Sequence, residues 1–331
     1  MNKILVTGGA GFIAAHVAEE LIKLGKNVIV LDDLSGGFED NVPKGAEFIK
    51  GSILDTNLLD KIFNENNITH IYHLAAYAAE GLSHFIKKFN YNNNLIGSIN
   101  LINQAVNHNV ECFIFTSSIA VYGSNQLPFT EETVPQPEDS YGIAKYAVEQ
   151  ELKVSHEMFG LNYVIFRPHN VYGEKQNIGD KYRNVIGIFM NNILQGKEMP
   201  IFGDGSQTRA FSYIADVAPT IAHSGFMSET YNQIFNIGAD KPYSVKTLAE
   251  ETARVMGVEP RIKYLPARNE VLHAYSDHSK ARKFFGHLIK DVDLKTGLKR
   301  MAEWVKKHGA RESIKFEKIE IEKNLPLAWK E

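Results

Sequence analysis

The chain has 331 residues, a length that suggests two domains at roughly 150 residues each and a core large enough to fold without disulfide or metal staples. Hydrophobic residues make up 44% and charged residues 23%, which is ordinary for a soluble globular protein. The 36 Lys and Arg against 39 Asp and Glu give a net charge of −3, which argues against a general nucleic-acid or membrane-surface binder but leaves room for a local basic pocket that takes a phosphorylated small molecule. The single cysteine, Cys112, sits in the apolar run Cys112-Phe113-Ile114-Phe115 and reads as a buried thiol. It permits no intrachain disulfide and no cysteine zinc site, and no metal site is expected. No apolar run has the length of a membrane span, and Met1-Asn2-Lys3 leads into a glycine-rich turn rather than a signal peptide. The expected location is cytoplasmic.

In chain order, short apolar runs alternate with helix-like stretches. The runs are Ile4-Leu5-Val6, Val28-Ile29-Val30-Leu31, Phe48-Ile49, Ile71-Tyr72, Phe113-Ile114-Phe115 and Val164-Ile165-Phe166. Helices are predicted near 12–24, 56–66, 92–107 and 141–158. Strands with near-continuous apolar character, separated by helices, predict an α/β fold with a doubly wound parallel sheet of Rossmann type. After about residue 170 the pattern turns irregular, with helices predicted near 184–195, 214–228, 245–256 and 296–307. The expected division is a dinucleotide-binding domain over 1–175 and a smaller C-terminal α/β substrate domain over 176–331, with the chain crossing back near 204–235. The tail 311–331 reads as an edge strand or a loose arm.

The segment Thr7-Gly8-Gly9-Ala10-Gly11-Phe12-Ile13-Ala14 follows the first strand and opens the first helix. Gly8 permits the tight turn, and Gly11 lets the backbone approach a pyrophosphate at the helix N-terminus. The second strand ends in Leu31-Asp32-Asp33, about twenty residues after the glycines. A carboxylate there accepts hydrogen bonds from ribose hydroxyls and repels a 2′-phosphate. No arginine follows nearby, so NAD is favoured over NADP. Further on, Phe115-Thr116-Ser117-Ser118 ends the fifth strand, where a doubly wound sheet places its ligands. Tyr141-Gly142-Ile143-Ala144-Lys145 lies on a predicted helix and sets tyrosine and lysine on one face. The ammonium, together with a positive nicotinamide ring, would lower the tyrosine pKa by favouring the phenolate.

Thr7 to Ile13, His73-Leu74-Ala75-Ala76, Thr116 to Gly123, Tyr141 to Lys145, Arg167 to Gly173 and Gly203-Asp204-Gly205 to Arg209 together resemble the extended short-chain dehydrogenase/reductases. Within these the chain is most similar to the nucleotide-sugar 4-epimerases that act on UDP-glucose and UDP-galactose. The resemblance runs over about residues 1–308. It implies Tyr141 as the acid/base, Lys145 as its partner and ribose ligand, and Ser118 as the hydroxyl that bridges tyrosine and sugar. It implies cofactor contacts from Gly8, Gly11, Phe12, Ile13, Asp32, Ser52, Ile53, Leu74, Ala75, Ala76, Asn94, Tyr141, Lys145 and Pro168. For the nucleotide sugar it implies Ser118, Asn170 and Asn184 near the sugar, Arg209 and Arg268 on the diphosphate, Glu270 at the uridine ribose, and Ala274 near the sugar C2 substituent. A small residue at 274 would admit an N-acetyl group, and a one-residue slip would place Tyr275 there instead. Relatives are often homodimers built from two helices per subunit, here near 92–107 and 141–158.

Several positions depart from related enzymes. Where 4,6-dehydratases carry an Asp-Glu pair and decarboxylases a Glu, this chain has Ile119-Ala120, which cannot shuttle a proton. Epimerases acting at C3 and C5 of GDP-mannose place a cysteine and a lysine where Ala120 and Asn184 stand. Ser52 replaces the family's adenine-contacting Asp. His84 and His169 are either pocket residues or structural histidines. The expected function is NAD-dependent C4 epimerisation of a nucleotide sugar, most simply UDP-glucose or UDP-galactose, with a UDP-N-acetylhexosamine as a further candidate. A GDP- or CDP-sugar epimerase or reductase is the second reading. A non-catalytic NAD-binding regulator is the third, and the Ser118, Tyr141 and Lys145 set argues against it.

Overall fold

A computed structural model describes residues 2–183, 185–267, 271–312, 316 and 318–330. The chain opens with β1 (Asn2–Thr7), α1 (Phe12–Lys23), β2 (Val28–Asp32), β3 (Glu47–Lys50), α2 (Thr56–Glu65) and β4 (Asn67–His73). It continues through α3 (Glu80–Ser83), α4 (Lys87–Tyr91), α5 (Gly97–Asn107), β5 (Cys112–Thr116), α6 (Ser140–Phe159), β6 (Asn162–Pro168) and β7 (Val171–Tyr172). Then come α7 (Val185–Leu194), β8 (Met199–Phe202), β9 (Thr208–Ala210), β10 (Ser212–Tyr213), α8 (Ile214–Ser224), β11 (Gln233–Ile237), β12 (Pro242–Ser244) and α9 (Val245–Met256). The last elements are β13 (Ile262–Leu265), β14 (His273–Ala274), α10 (Ser279–Phe285), α11 (Leu294–His308) and α12 (Leu327–Lys330).

Among the described residues, seven strands form one parallel sheet in the order β11-β6-β5-β4-β1-β2-β3. β2 and β5 are buried along their whole length, because helices cover both faces. Val6, Val30, Ile114 and Phe166 pack on one side with α1 and α8, while Leu5, Ile29, Ile71, Phe113 and Ile165 pack on the other with α2, α5 and α6. The strand order reverses between β1 and β4, and such a switch point leaves a crevice at the carboxyl ends of the strands. Gly8 closes that crevice tightly. It has φ +74, and a Cβ on it would stand 2.8 Å from the Ala75 backbone. Beneath it, the buried His73 bridges β1 and α5, with Nδ1 2.7 Å from Thr7 Oγ1 and Nε2 2.8 Å from Ser98 Oγ.

The chain leaves the sheet after β6 and returns. β10 pairs with β7, α8 packs along α1, and β11 extends the main sheet beside β6. Residues 212–237 thus belong to the main sheet's layers. The outlying layer holds β8 with β13, β9 between β12 and β14, and the helices α7, α9 and α11.

Two expectations need correction. The helix predicted over 92–107 is regular only from Gly97, because residues 92–96 form a wider π turn with α4 ahead of it. The described residues of the tail form neither an edge strand nor a loose arm. They lie on α3 and α4, where Trp329 and Leu325 bury against Leu82, Ile86 and Tyr182.

Candidate active site

Helix α6 carries Tyr141 and Lys145, the pair expected to handle the proton. Asp139 caps it by accepting the Gly142 N–H at 2.8 Å, and the Tyr141 N–H donates to Ser83 Oγ at 3.2 Å. Tyr141 and Lys145 fall one turn apart on the inner face. A Cβ on Gly142 would stand 2.6 Å from the Ala120 carbonyl oxygen, so only glycine lets α6 approach the loop after β5 this closely. That approach sets the Ser118 hydroxyl beside the Tyr141 phenol, where it favours the phenolate. Ser118 itself caps the turn at 119–122, its Oγ accepting the Ala120 N–H at 3.1 Å. Lys145 Nζ donates to the Thr116 carbonyl at 2.8 Å and lies 4.7 Å from the Phe115 ring centroid and 5.8 Å from that of Tyr141.

Burial dominates the electrostatics of the pair. It pushes the Tyr141 phenol up, and the Ser118 hydroxyl only partly offsets this. Burial pulls Lys145 down to about 7, against the raising influence of Glu149 one turn further along. The protein alone therefore favours a neutral phenol, and Lys145 does not by itself invert that preference.

Behind the pair lies a buried network that the sequence reading missed. Glu149 accepts from Arg167 Nε at 2.9 Å and Nη2 at 2.5 Å, and from Ser117 Oγ at 2.5 Å. Arg167 Nη1 donates to Tyr122 Oη at 2.7 Å, and Tyr122 donates to Asn236 Oδ1 at 2.8 Å. The signals were present, as glutamate one helical turn beyond Lys145 and arginine ahead of Pro168, but nothing in the spacing says that they meet.

A cleft of about 680 Å³ runs from the switch point past Tyr141 to β8 and β9. Gly8, Gly11, Phe12, Ile13, Asp32, Ser52, Ile53, Leu74, Ala75, Ala76 and Pro168 line it, together with Ser118, Tyr141, Lys145, Asn170 and Arg209. Asp32 accepts the Ala10 N–H at 3.0 Å and the Leu34 N–H at 2.7 Å, and burial raises its carboxyl. Helix α1 starts at Gly11 with no side-chain cap and no acid in its first turn, so its N–H groups are left for an anion. Thr116 Oγ1 is buried on the cleft wall without a hydrogen-bond partner. A glycine-permitted close approach, an uncapped helix N-terminus, a carboxylate at the end of β2 and an unsatisfied hydroxyl together fit a dinucleotide. Folding does bring an arginine to the Asp32 loop, although none follows it in sequence. A Cβ on Gly36 would stand 2.9 Å from Arg183 Nη2. That guanidinium pairs with Asp180 at 2.7 Å and stacks on Tyr77, so its charge is engaged.

Not every predicted contact reaches the cleft. Asn94 is buried off the wall, where it accepts the Tyr77 N–H at 2.9 Å and donates to the Tyr77 carbonyl at 3.1 Å, pinning the loop that does line the cleft. Ala274 is also off the wall and packs with Val121, Tyr122 and Phe129. Arg209 lines the cleft, but its guanidinium also donates to the Thr208 and Leu272 carbonyls at 2.8 and 2.9 Å and to that of Val271. Asn170 holds φ +40 at the mouth. His84 lines the cleft, whereas His169 is buried between the Ala210 carbonyl and His278, and burial takes it down to about 3. Asn184, Arg268 and Glu270 lie outside the described residues. Tyr77, Glu80, Tyr182, Arg183 and Trp329 line the cleft without having been anticipated.

No helix among the described residues is long and apolar enough to cross a membrane. The model of the NAD-dependent epimerase/dehydratase family matches residues 4–238. A UDP-glucose 4-epimerase from Thermotoga maritima, solved with UDP-glucose, is 35% identical with a TM-score of 0.86, covering 93% of this chain and 99% of its own. The UDP-glucose 4-epimerase of Thermus thermophilus in complex with NAD is 29% identical, with a TM-score of 0.85 over 92% of this chain and 98% of its own. A UDP-N-acetylglucosamine 4-epimerase from Methanobrevibacter ruminantium, solved with UDP-N-acetylmuramic acid, is 31% identical, with a TM-score of 0.81 over 91% and 97%. The glycine turn, the Asp32 carboxylate and the Ser118, Tyr141 and Lys145 set thus sit in a fold shared with these enzymes over more than nine-tenths of this chain, and the chain belongs to the NAD-dependent epimerase/dehydratase family, as an NAD-using enzyme of extended short-chain dehydrogenase/reductase architecture.

Proposed function

We propose that the protein interconverts a UDP-hexose and its C4 epimer, with UDP-glucose and UDP-galactose as the substrate pair. The observation that carries this reading is one continuous cleft in which Ser118, Tyr141 and Lys145 stand between a dinucleotide cradle and Arg209, with Ile119 and Ala120 where an eliminating enzyme needs acids. Bound NAD supplies the hydride acceptor for the sugar C4 and a positive ring that favours the phenolate.

The chain's own residues move the proton. Tyr141 Oη takes it from the sugar 4-hydroxyl and later returns it to the 4-keto oxygen. Ser118 Oγ holds the same oxygen in line through its contact with the phenol. Lys145 Nζ, anchored on the Thr116 carbonyl, keeps the proton inventory of the site with a pKa near neutrality. Arg209 and the β8–β13 edge hold the diphosphate and base while the sugar turns between its two faces.

The test is proton NMR of the protein with UDP-glucose, UDP-N-acetylglucosamine and GDP-mannose in separate tubes and no added cofactor. An anomeric signal of the 4-epimer in a UDP tube supports the proposal. Turnover of GDP-mannose alone, or a requirement for stoichiometric NADPH, overturns it. We further propose a homodimer, supported by the exposed apolar side chains Ile96, Ile143, Val154 and Met158 beside or on α5 and α6. Light scattering of Val154→Glu against the unaltered protein tests it, and an unchanged mass overturns it.

A further inference from the structure

We propose that the C-terminal residues 318–330, with Phe316, form one wall of the sugar pocket and that Trp329 is a specificity-determining residue for the hexosyl group, an inference that rests on the epimerase reading above.

The segment is built onto the site. The Glu320 carboxylate accepts the N–H groups of Lys88 and Phe89 at 2.7 and 2.8 Å, filling the open N-terminal end of α4. The N–H groups of Glu320 and Ile321 both donate to the Phe85 carbonyl, at 2.9 and 3.1 Å. The Phe316 N–H donates to Tyr182 Oη at 3.2 Å, and its ring packs edge-on against Phe89 with centroids 4.8 Å apart.

These anchors deliver Trp329 to the cleft. The indole is 5% exposed, and its ring centroid is 5.5 Å from that of Tyr182 and 6.2 Å from that of Phe85. It covers Gly81, where a Cβ would stand 3.2 Å from Trp329 Cη2. Helix α3 separates it from Tyr141 and Lys145. One end of that helix presents Glu80, whose charge acts on the Tyr141 phenol, and the other presents Ser83, which accepts the Tyr141 N–H. The indole thus lines the same cleft as Glu80, Gly81 and His84. The nucleotide end is lined by Pro200, Phe202, Arg209 and Leu265. An aromatic face beside a carboxylate and the His84 imidazole suits a pyranose, whose C–H face stacks on a ring while its hydroxyls take polar partners.

Trp329 and Trp304 are the two tryptophans of the chain, and Trp304 stacks on His308 in α11. A Trp304→Phe protein therefore reports Trp329 alone by fluorescence. In that background UDP-glucose shifts the emission and UDP does not. Trp329→Ala, and truncation after Glu312, each raise KM for UDP-glucose about tenfold, the loss expected of one stacking contact, and change the ratio of UDP-glucose to UDP-N-acetylglucosamine turnover. Inhibition by UDP changes less than about twofold. Unaltered KM and sugar preference in the point variant, whose fold is verified by its thermal melt, overturn the proposal while the epimerase reading stands. Equal losses for UDP and UDP-glucose overturn it too, because the effect would then be general. If the unaltered protein neither turns over nor binds a UDP-sugar, the epimerase reading fails and the wall assignment with it.

Discussion

Glu149→Gln tests the buried network behind Tyr141 and Lys145 most directly. Glu149 is fully buried and accepts from two Arg167 nitrogens and from Ser117 Oγ. Exchanging its carboxylate for an amide leaves the Arg167 guanidinium, 1% exposed, without a counter-charge and turns one acceptor atom into a donor facing a donor. Removing one partner of a buried ion pair costs about 3–5 kcal/mol. For a chain of this size that corresponds to a fall in Tm of roughly 4–7 °C. Glu149 is also the group that raises Lys145, so its loss drives the lysine pKa further down from about 7. The ammonium form then disappears at a lower pH, and the alkaline limb of the kcat profile moves to lower pH. Thermal melts at pH 7 and kcat between pH 5.5 and 9 measure both effects. The double variant Glu149→Gln with Arg167→Met, which removes the orphaned charge, recovers part of the stability. A single variant that melts within about 1 kcal/mol of the parent, with an unmoved pH profile, refutes the assignment of this pair as a buried, electrostatically coupled support.

Three further outcomes follow from the same geometry. Lys145→Met abolishes turnover yet stabilises the cofactor-free protein by roughly 1–3 kcal/mol at pH 7, because burial depresses the lysine and the unfolded chain regains the proton. The depressed pKa makes parental stability rise between about pH 7 and the unfolded lysine value near 10.5, and melts across that window lose this slope in the variant. In Gly142→Ala, helix propensity alone would add about 0.5–1 kcal/mol of stability. The 2.6 Å approach to the Ala120 carbonyl reverses the sign, so the variant melts lower and loses kcat at least about tenfold by moving Tyr141 from Ser118; an unchanged kcat would contradict this. Ala274→Tyr overpacks the cluster of Val121, Tyr122 and Phe129 and costs about 1–3 kcal/mol, lowering turnover of plain and N-acetylated sugars in parallel. Selective loss of the N-acetylated substrate alone would instead return Ala274 to the sugar.

The parts of the site that were legible in the sequence are those whose chemistry repeats at short, fixed spacing. The glycine turn between β1 and α1, Asp32 at the end of β2, Ser118 after β5 and the Tyr141–Lys145 pair each lie within one strand–turn–helix unit. Period and spacing reach that far, because a strand end and a helix turn fix side-chain direction locally. Ala274 shows the limit. It has the expected residue type, but β14 turns it toward the aromatic cluster, and facing in a strand alternates with each residue. Asn94 was expected on the cofactor, and the π turn instead directs it to Tyr77.

The amino-acid sequence by itself determined the doubly wound sheet, the cofactor class and the placing of Tyr141 and Lys145 on one helix face, because each follows from contacts between near neighbours in the chain. Tertiary structure alone decided how deeply those side chains are buried, and with it the direction in which their pKa values move, since burial is a property of the whole packed molecule. It raised Tyr141 and lowered Lys145. It also decided which distant groups meet: Glu149 with Arg167, Arg183 with the Asp32 loop, and Trp329 with Gly81. Those meetings depend on how helices and the tail pack across the cleft, and no local period encodes them.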